Sequence, residues 1–508
     1  MQEFSTLIEL LSLGADRDIA LRAPGAQPLN YAGLRANLQR TVTALNGFGI
    51  GRQERVAIVL PNGPEMASAF ICIAGGATAA PLNPVYRADE FEFYLSDLNA
   101  KALVVEQGSQ SPAIAVAKKL GVRILELVPS AEGAGAFVLT QTDTNIKYAS
   151  AALPGLAQPD DIALILHTSG TTSRPKIVPL SHINVCASAA NVRNNLHLTS
   201  TDCGLNIMPL FHIHGLIAGL LAPLAAGSTI FCTPGFNALK FFTWMAEAKP
   251  SWYTAVPTMH QTILARATQN RDVIAANPLR FMRSSSSSMP PQVIAELEEV
   301  FGAPLVESYG MTEAAHQMAS NPLPPAKRIP GTVGVAAGPE VAIMDTEGNL
   351  LKHGETGEIV IRGPNVTSGY ENNPKANAEA YANGWFRTGD QGVMDGEGYL
   401  SITGRLKEII SRGGEKISPR EVDEILMDHP AIQQVVTFGI PHDKLGEEVG
   451  AAVVLRDGAS ATEKELREFA AIRLADFKVP RKILFLEEIP KGATGKLQRI
   501  GLAAKLGL

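Results

Sequence analysis

The sequence predicts an α/β protein with a large amino-terminal domain of layered α/β sheets, including a small β unit, and a smaller carboxyl-terminal α+β domain. Three observations carry this. Short unbroken apolar runs such as IALIL at 162–166 alternate with helical patterns through most of the chain, as parallel strands buried on both faces and their crossover helices do. At 508 residues the chain is too long for one ordinary domain. Near residue 404 the pattern changes from short β stretches to a compact α/β alternation, so domains are expected at 1–404 and 405–508.

Taken in order, RVAIVL at 55–60 reads as a strand, and 64–74 as a helix with Asn62 or Gly63 near its cap. ALVV at 102–105 and RILEL at 123–127 repeat the strand theme, while 128–145, rich in Ala, Gly and Thr, reads as a surface connection. The strongly apolar stretch 208–226 reads as a buried helix that begins with two histidines, His212 and His214. RSSSSSM at 283–289 is flanked by a strand-like stretch and a helical one, so it reads as a loop inside a domain rather than a linker. EIVIR at 358–362, GWFRT at 384–388 and GYLSI at 398–402 suggest short strands of the β unit. Beyond Arg405, helices at 421–427 and 462–474 surround strands at 435–439 and 450–455.

Composition excludes several classes. With 45% apolar and 19% charged residues the chain is globular rather than disordered. A net charge of −6 gives no basic excess for a nucleic-acid backbone, though one nucleotide needs only local positive groups. The four cysteines, Cys72, Cys186, Cys203 and Cys232, form no CxxC pair and read as free thiols of a reducing compartment. No uncharged apolar run reaches spanning length, the amino terminus carries acids where a secretory leader needs basic residues, and KLGL is not an SKL-type address. A cytoplasmic location is therefore expected, with monomer and homodimer both open.

The chemistry begins at HTSGTTSRPK, 167–176. Small hydroxylated residues around one glycine, closed by Arg174 and Lys176, supply close backbone approach, donors and charge for a polyphosphate. A Ser/Thr-rich surface loop has the same composition, so the order of the residues decides. That order strongly resembles the phosphate loop of the adenylate-forming superfamily: acyl-CoA synthetases, luciferases and peptide-synthetase adenylation domains. Ile177 departs from it, standing where glycine is usual. Further motifs follow in order: ESYGMTE at 307–313, WFRTGD at 385–390, GRLK at 404–407, SRGGEK at 411–416 and PKGATGK at 490–496.

The resemblance implies the adenylate-forming fold with a mobile carboxyl-terminal domain, and ATP, Mg²⁺ and coenzyme A as the molecules bound. It implies that Thr168, Ser169, Gly170, Thr171, Thr172 and Lys176 cradle phosphates. Ser286, Ser287, Ser288, Glu307, Ser308, Tyr309 and Gly310 would line the nucleotide, with Tyr309 along the adenine. Thr312 would bond phosphate, Glu313 would hold Mg²⁺, Asp390 would accept from the two ribose hydroxyls, Arg405 would contact ribose or phosphate, and Lys496 would be the catalytic lysine. Lys407 would be the hinge, and Gly413 and Gly414 would form the thiolation loop.

For the acid, FHIHGLIAGLLAPL, GAPLVESYGMTEAAHQMASNPLP and RGPNVTSGYENNP are similar to the oxalyl-CoA synthetases. That implies a polar pocket from His212, His214, Ser285, Ser286 and His316, with His212 also at the catalytic centre. Another short, medium-chain, malonyl or aryl acid stays open. A malonyl enzyme would use an arginine, for which Arg283 is the nearest candidate, although its place at the start of the serine loop could equally be structural. A stand-alone module loading a carrier protein and a luciferase-like oxygenase share the motifs. A degenerate nucleotide-binding protein is disfavoured by intact Glu313, Asp390, Arg405 and Lys496.

Overall fold

The computed structural model describes residues 3–141, 149–168, 175–490 and 499–508. Ser169, Gly170, Thr171, Thr172 and Lys496 lie outside the described residues. By compactness the chain divides into two units, one of residues 1–168, 176–341 and 361–380, the other of 169–175, 342–360 and 381–508. Residues 381–404 therefore group with the carboxyl-terminal unit by compactness, ahead of the boundary expected at 404.

The first unit holds two sheets, counted over the described residues. The seven-stranded sheet runs Phe137–Gln141, Arg123–Pro129, Ala102–Glu106, Arg55–Val59, Thr78–Pro81, Ile162–Thr168, Lys176–Ser181. Its interior pairs are parallel and its two outermost pairs antiparallel. The expected connection at 128–145 thus contains a strand. Phe137 and Leu139 are buried while Val138 and Thr140 are exposed, a period-two pattern too short to stand out against the flanking Ala and Gly. The nine-stranded sheet carries parallel strands Thr229–Cys232, Cys203–Asn206, Trp252–Ala255, Phe281–Ser284 and Leu305–Met311 at its centre.

Helices pack on these sheets for readable reasons. Pro112–Leu120 starts with Ser111 as cap and Pro112 at its first position, and ends at Gly121 with φ 70°. Pro291–Phe301 likewise begins on proline and ends at Gly302 with φ 62°. Its Ile294, Leu297 and Phe301 join Met282, Leu305, Tyr253 and Phe241 in one core. That core fixes the strand ends on which the site is built.

The stretch expected as a buried helix is a π-helix, His214–Leu221, followed by one α-turn, Ala222–Leu224. Its first residue, His214, is buried. Glycines let it press against its neighbours: a Cβ on Gly215 would collide with the Pro209 carbonyl, and one on Gly219 would lie 2.9 Å from Asn206 Oδ1.

The second unit has two sheets among the described residues. One orders Glu340–Met344, Thr356–Arg362, Trp385–Met394 and Tyr381–Ala382, with Leu400–Arg405 also on Trp385–Met394. The other orders Glu415–Ile417, Ile410–Arg412, Gly446–Leu455 and Ile432–His442, with Lys482–Phe485 parallel to Gly446–Leu455. Helix Glu463–Ala471 is capped by Thr462 and Glu465 in a reciprocal box. The four cysteines are free, and burial pushes the Cys203 thiol up to about 11. Among the described residues no helix is long and apolar enough to cross a membrane.

Candidate active site

Thr254 and Arg283 are direct partners on neighbouring parallel strands, near the carboxyl ends where α/β sheets bind ligands. Arg283 is completely buried. Its Nη1 donates to His214 Nε2 at 3.2 Å and to Thr254 Oγ1 at 3.3 Å. Its Nη2 donates to His316 Nε2 and to Gln317 Oε1, both at 3.0 Å. No carboxylate accepts from it among the described residues. Burial alone draws its pKa from the ordinary arginine value down to about 9, so it keeps its charge at neutral pH.

The guanidinium has only donors, so both imidazoles must accept at Nε2 and carry their proton on Nδ1. His214 Nε2 also meets Thr254 Oγ1 at 2.6 Å, and its Nδ1 donates to Ser286 Oγ at 3.2 Å. The two rings stack 4.9 Å apart at 15°. A buried cation thus lies behind two neutral imidazoles and strengthens their Nδ1–H groups as donors. From the other side, His260 Nε2 donates to the Arg283 carbonyl at 3.1 Å and Tyr253 OH donates to His260 Nδ1 at 3.0 Å. Burial lowers the His260 pKa to about 4, so it is a neutral structural group.

The serine run divides by contact. Ser285 Oγ donates to the Ser308 carbonyl at 3.0 Å, and Ser308 Oγ returns a bond to the Ser284 carbonyl at 3.2 Å. Ser286 takes φ 75°, a strained conformation for a residue with a Cβ, and reaches His214. Ser287 and Ser288 are exposed. The strand Leu305–Met311 then turns through a short 3₁₀ segment, Thr312–Ala314, into the antiparallel strand His316–Ser320. Ala315 at φ 46° and His316 at φ 96° make that reversal. Gly310 permits it, because a Cβ there would overlap the His316 carbonyl oxygen.

Glu313 is buried at 6% exposure. It accepts from Tyr370 OH at 2.8 Å, and its carbonyl accepts from Thr367 N at 2.7 Å. Lys176 Nζ sits 4.1 Å from the centre of the Tyr370 ring. Thr168 and Lys176 face each other across the hairpin that carries the phosphate-loop motif. Next to Thr168, His167 Nε2 meets Asp97 Oδ2 at 3.1 Å. Glu307 is buried and accepts from Gly331 N at 3.1 Å, and Tyr309 is buried. His212, half-buried, packs on Phe211 at 4.8 Å. No cluster of three or more metal-type side chains exists among the described residues. A single buried carboxylate still fits Mg²⁺, which keeps most of its ligands as water and substrate phosphate oxygens.

In the second unit, Arg405 Nε donates to Asp390 Oδ1 at 2.9 Å across a strand pair. Asp390 is buried while Arg405 is half-exposed. Lys407 is exposed just beyond. Gly413 at φ 59° and Gly414 at φ 95° form the exposed turn between Ile410–Arg412 and Glu415–Ile417.

No motif or periodicity in the sequence points to Thr254, Gln317 or Tyr370 in these contacts. Arg283 is visible in the sequence as a candidate cation, but its partners lie 29 to 69 positions away.

A polar cluster at the strand ends, a hairpin carrying the phosphate-loop motif and a buried carboxylate, in a chain with a second compact unit, define an adenylate-forming enzyme. The chain belongs to the AMP-binding enzyme family, whose model matches residues 14–371, and the model of the AMP-binding enzyme C-terminal domain matches 421–496. It is an AMP-forming acyl-CoA ligase by class. It is 44% identical to an oxalate–CoA ligase of Arabidopsis thaliana, over 94% of each chain. It is also 44% identical to one of Saccharomyces cerevisiae, over 88% of this chain and 86% of that one. The crystal structure of ATP-bound MatB from Rhodopseudomonas palustris superposes with a TM-score of 0.87 at 28% identity, over 99% of this chain and 98% of that one.

Proposed function

We propose that the chain is an oxalate–CoA ligase, which converts oxalate, ATP and CoA to oxalyl-CoA, AMP and diphosphate through an oxalyl-adenylate. The observation that carries this reading is the buried Arg283 with no carboxylate of its own, backed onto His214 and His316. A buried cation without an internal counter-ion is costly. A small substrate that brings a second carboxylate offsets that cost. A fatty or aryl acid leaves the charge in place. Malonate would bring a second carboxylate as well; the two relatives named above as oxalate–CoA ligases are what favours oxalate over it.

In this reading the Ser286 hydroxyl, which accepts from His214 Nδ1, donates to the distal carboxylate together with the Nδ1–H of His316, and Arg283 acts from behind. Ser286 therefore serves the acid, and Ser285 shapes the floor between the serine loop and Ser308. Tyr309 lines the adenine, Thr312 bonds phosphate, and Asp390 with Arg405 holds the ribose. Glu313 would hold Mg²⁺, which when bound neutralises charge on the phosphates. Positioning and charge neutralisation supply most of the rate in such a displacement. The carboxyl-terminal domain then turns about Lys407 near the 404/405 boundary, and the Gly413 and Gly414 turn comes to the thiol.

Two experiments test this. Diphosphate release should be fastest with oxalate in a panel with malonate, acetate, octanoate and 4-coumarate. Preference for octanoate or coumarate would overturn the assignment of the histidines. Lys496→Ala should lose at least about 100-fold in adenylation, as removal of a positioned charge does. It should retain thioester formation from supplied oxalyl-adenylate, which is read separately by CoA consumption. Equal loss in both halves would remove Lys496 from the first step alone.

A further inference from the structure

We infer that Tyr370 is a positioning residue that sets the metal-binding carboxylate Glu313 and the phosphate lysine Lys176 against each other. The inference rests on the ATP–Mg²⁺ reading of the site. One aromatic side chain touches both groups. Its hydroxyl donates to Glu313 Oε1 at 2.8 Å, and its ring face lies 4.1 Å from Lys176 Nζ. Tyr370 is itself buried. A hydrogen bond to one carboxylate oxygen fixes which oxygen is presented to a metal, as outer-shell donors do around metal ligands. The ammonium over the ring face draws electron density from the phenol and makes its hydroxyl a stronger donor. The tyrosine therefore communicates the lysine's charge to the carboxylate.

The segment around Tyr370 is built to hold it. Asn377 Oδ1 accepts from Tyr370 N at 2.7 Å, and Asn377 Nδ2 donates to the Tyr370 carbonyl at 2.8 Å. Gly369, at φ 143°, lies so close to Asn377 that a Cβ would be 2.9 Å from its Oδ1. Upstream, Thr367 N donates to the Glu313 carbonyl at 2.7 Å and Thr367 Oγ1 to the Pro179 carbonyl at 2.8 Å. Downstream, Glu371 N donates to the Ile177 carbonyl at 3.1 Å. A seven-residue strap, NVTSGYE at 365–371, is thus stitched to both the phosphate hairpin and the carboxylate turn.

The test measures diphosphate release against free Mg²⁺ at saturating ATP and oxalate and, with no turnover, the Mg²⁺ dependence of ATP binding by calorimetry in the absence of oxalate, where Tyr370→Phe should show the same shift. Tyr370→Phe keeps the ring under Lys176 and loses only the hydroxyl. It should raise the Mg²⁺ needed for half-maximal rate about 10-fold, while the KM for oxalate stays unchanged. Tyr370→Leu should raise the KM for ATP as well. Glu313→Gln and the double variant close the cycle: if Tyr370 acts through Glu313, adding Tyr370→Phe to Glu313→Gln costs nothing further. Should Tyr370→Phe fail to fold, Asn377→Ala carries the test through a smaller rise in the Mg²⁺ requirement. A wild-type Mg²⁺ profile in Tyr370→Phe or Asn377→Ala, or additive losses in the double variant, would overturn the inference. Wild-type protein that releases no diphosphate with ATP and Mg²⁺ would instead overturn the functional reading beneath it.

Discussion

Arg283→Met should lower kcat/KM for oxalate by about 100-fold or more, since losing a buried charged donor costs roughly 3 kcal/mol and each 1.4 kcal/mol is tenfold. Methionine fills much of the space but frees two imidazoles and Gln317 from the donor that fixes them. Their tautomers then scramble. The KM for ATP should stay within about threefold of wild type, which separates loss of the acid subsite from general damage. Arg283→Lys should rescue only part of the loss, because one ammonium cannot serve both rings in the geometry of a planar fork.

The same residue fixes a pH signature. The folded-state pKa near 9 lies well below the ordinary arginine value. The charged form that supports anion binding is complete at neutral pH and lost as pH rises through about 9, so kcat/KM for oxalate should be level near pH 7.5 and fall above 9. For stability the sign is opposite. The unfolded chain holds this proton more tightly, so burying the charge works against folding below pH 9 and the penalty is relieved as pH rises above 9. Oxalate should therefore raise the Tm of wild type at pH 7.5 and have little effect on Arg283→Met.

The second large effect is expected at Gly310→Ala. The added methyl would occupy the space of the His316 carbonyl oxygen. That atom belongs to backbone already reversed by two left-handed residues, so it cannot step aside. Overpacking of this kind costs about 3 kcal/mol. His316 would move with its strand, so oxalate turnover should fall about 100-fold even in protein that stays folded. Thermal unfolding followed by kinetics on the same sample separates the two losses. Wild-type Tm and kcat/KM in Gly310→Ala would contradict the close approach at this turn.

What could be read in advance follows from how local each feature is. The strands at Arg55–Val59, Ala102–Glu106 and Ile162–Thr168 are short apolar runs, and the capped helices carry their signals within a few residues. They were legible for that reason. The strand Phe137–Gln141 was not, because five residues of alternation inside a Gly- and Ala-rich stretch give little signal. The motif residues Glu313, Asp390 and Arg405 were legible through an ordered string of resemblances. The relation of Arg283 to His214 and His316 was not, because it arises where three strands and a helix meet. Periodicity also could not separate a π-helix from an α-helix, since an apolar run buried all round has no distinctive face.

That π-helix has an evolutionary consequence. Its last turn closes from Ala222 N to the Ile217 carbonyl, five residues back, where an α-helix closes over four. Deleting a single residue inside it would let the segment relax to α geometry while the following Ala222–Leu224 turn kept its place. His214 would then swing about 100° around the axis, the advance of one helical residue, and leave the imidazole stack. One codon lost would dismantle the subsite proposed for the second carboxylate and leave the Glu313 and Tyr370 contacts untouched. In such a lineage, acid preference could change abruptly without passing through a series of point substitutions.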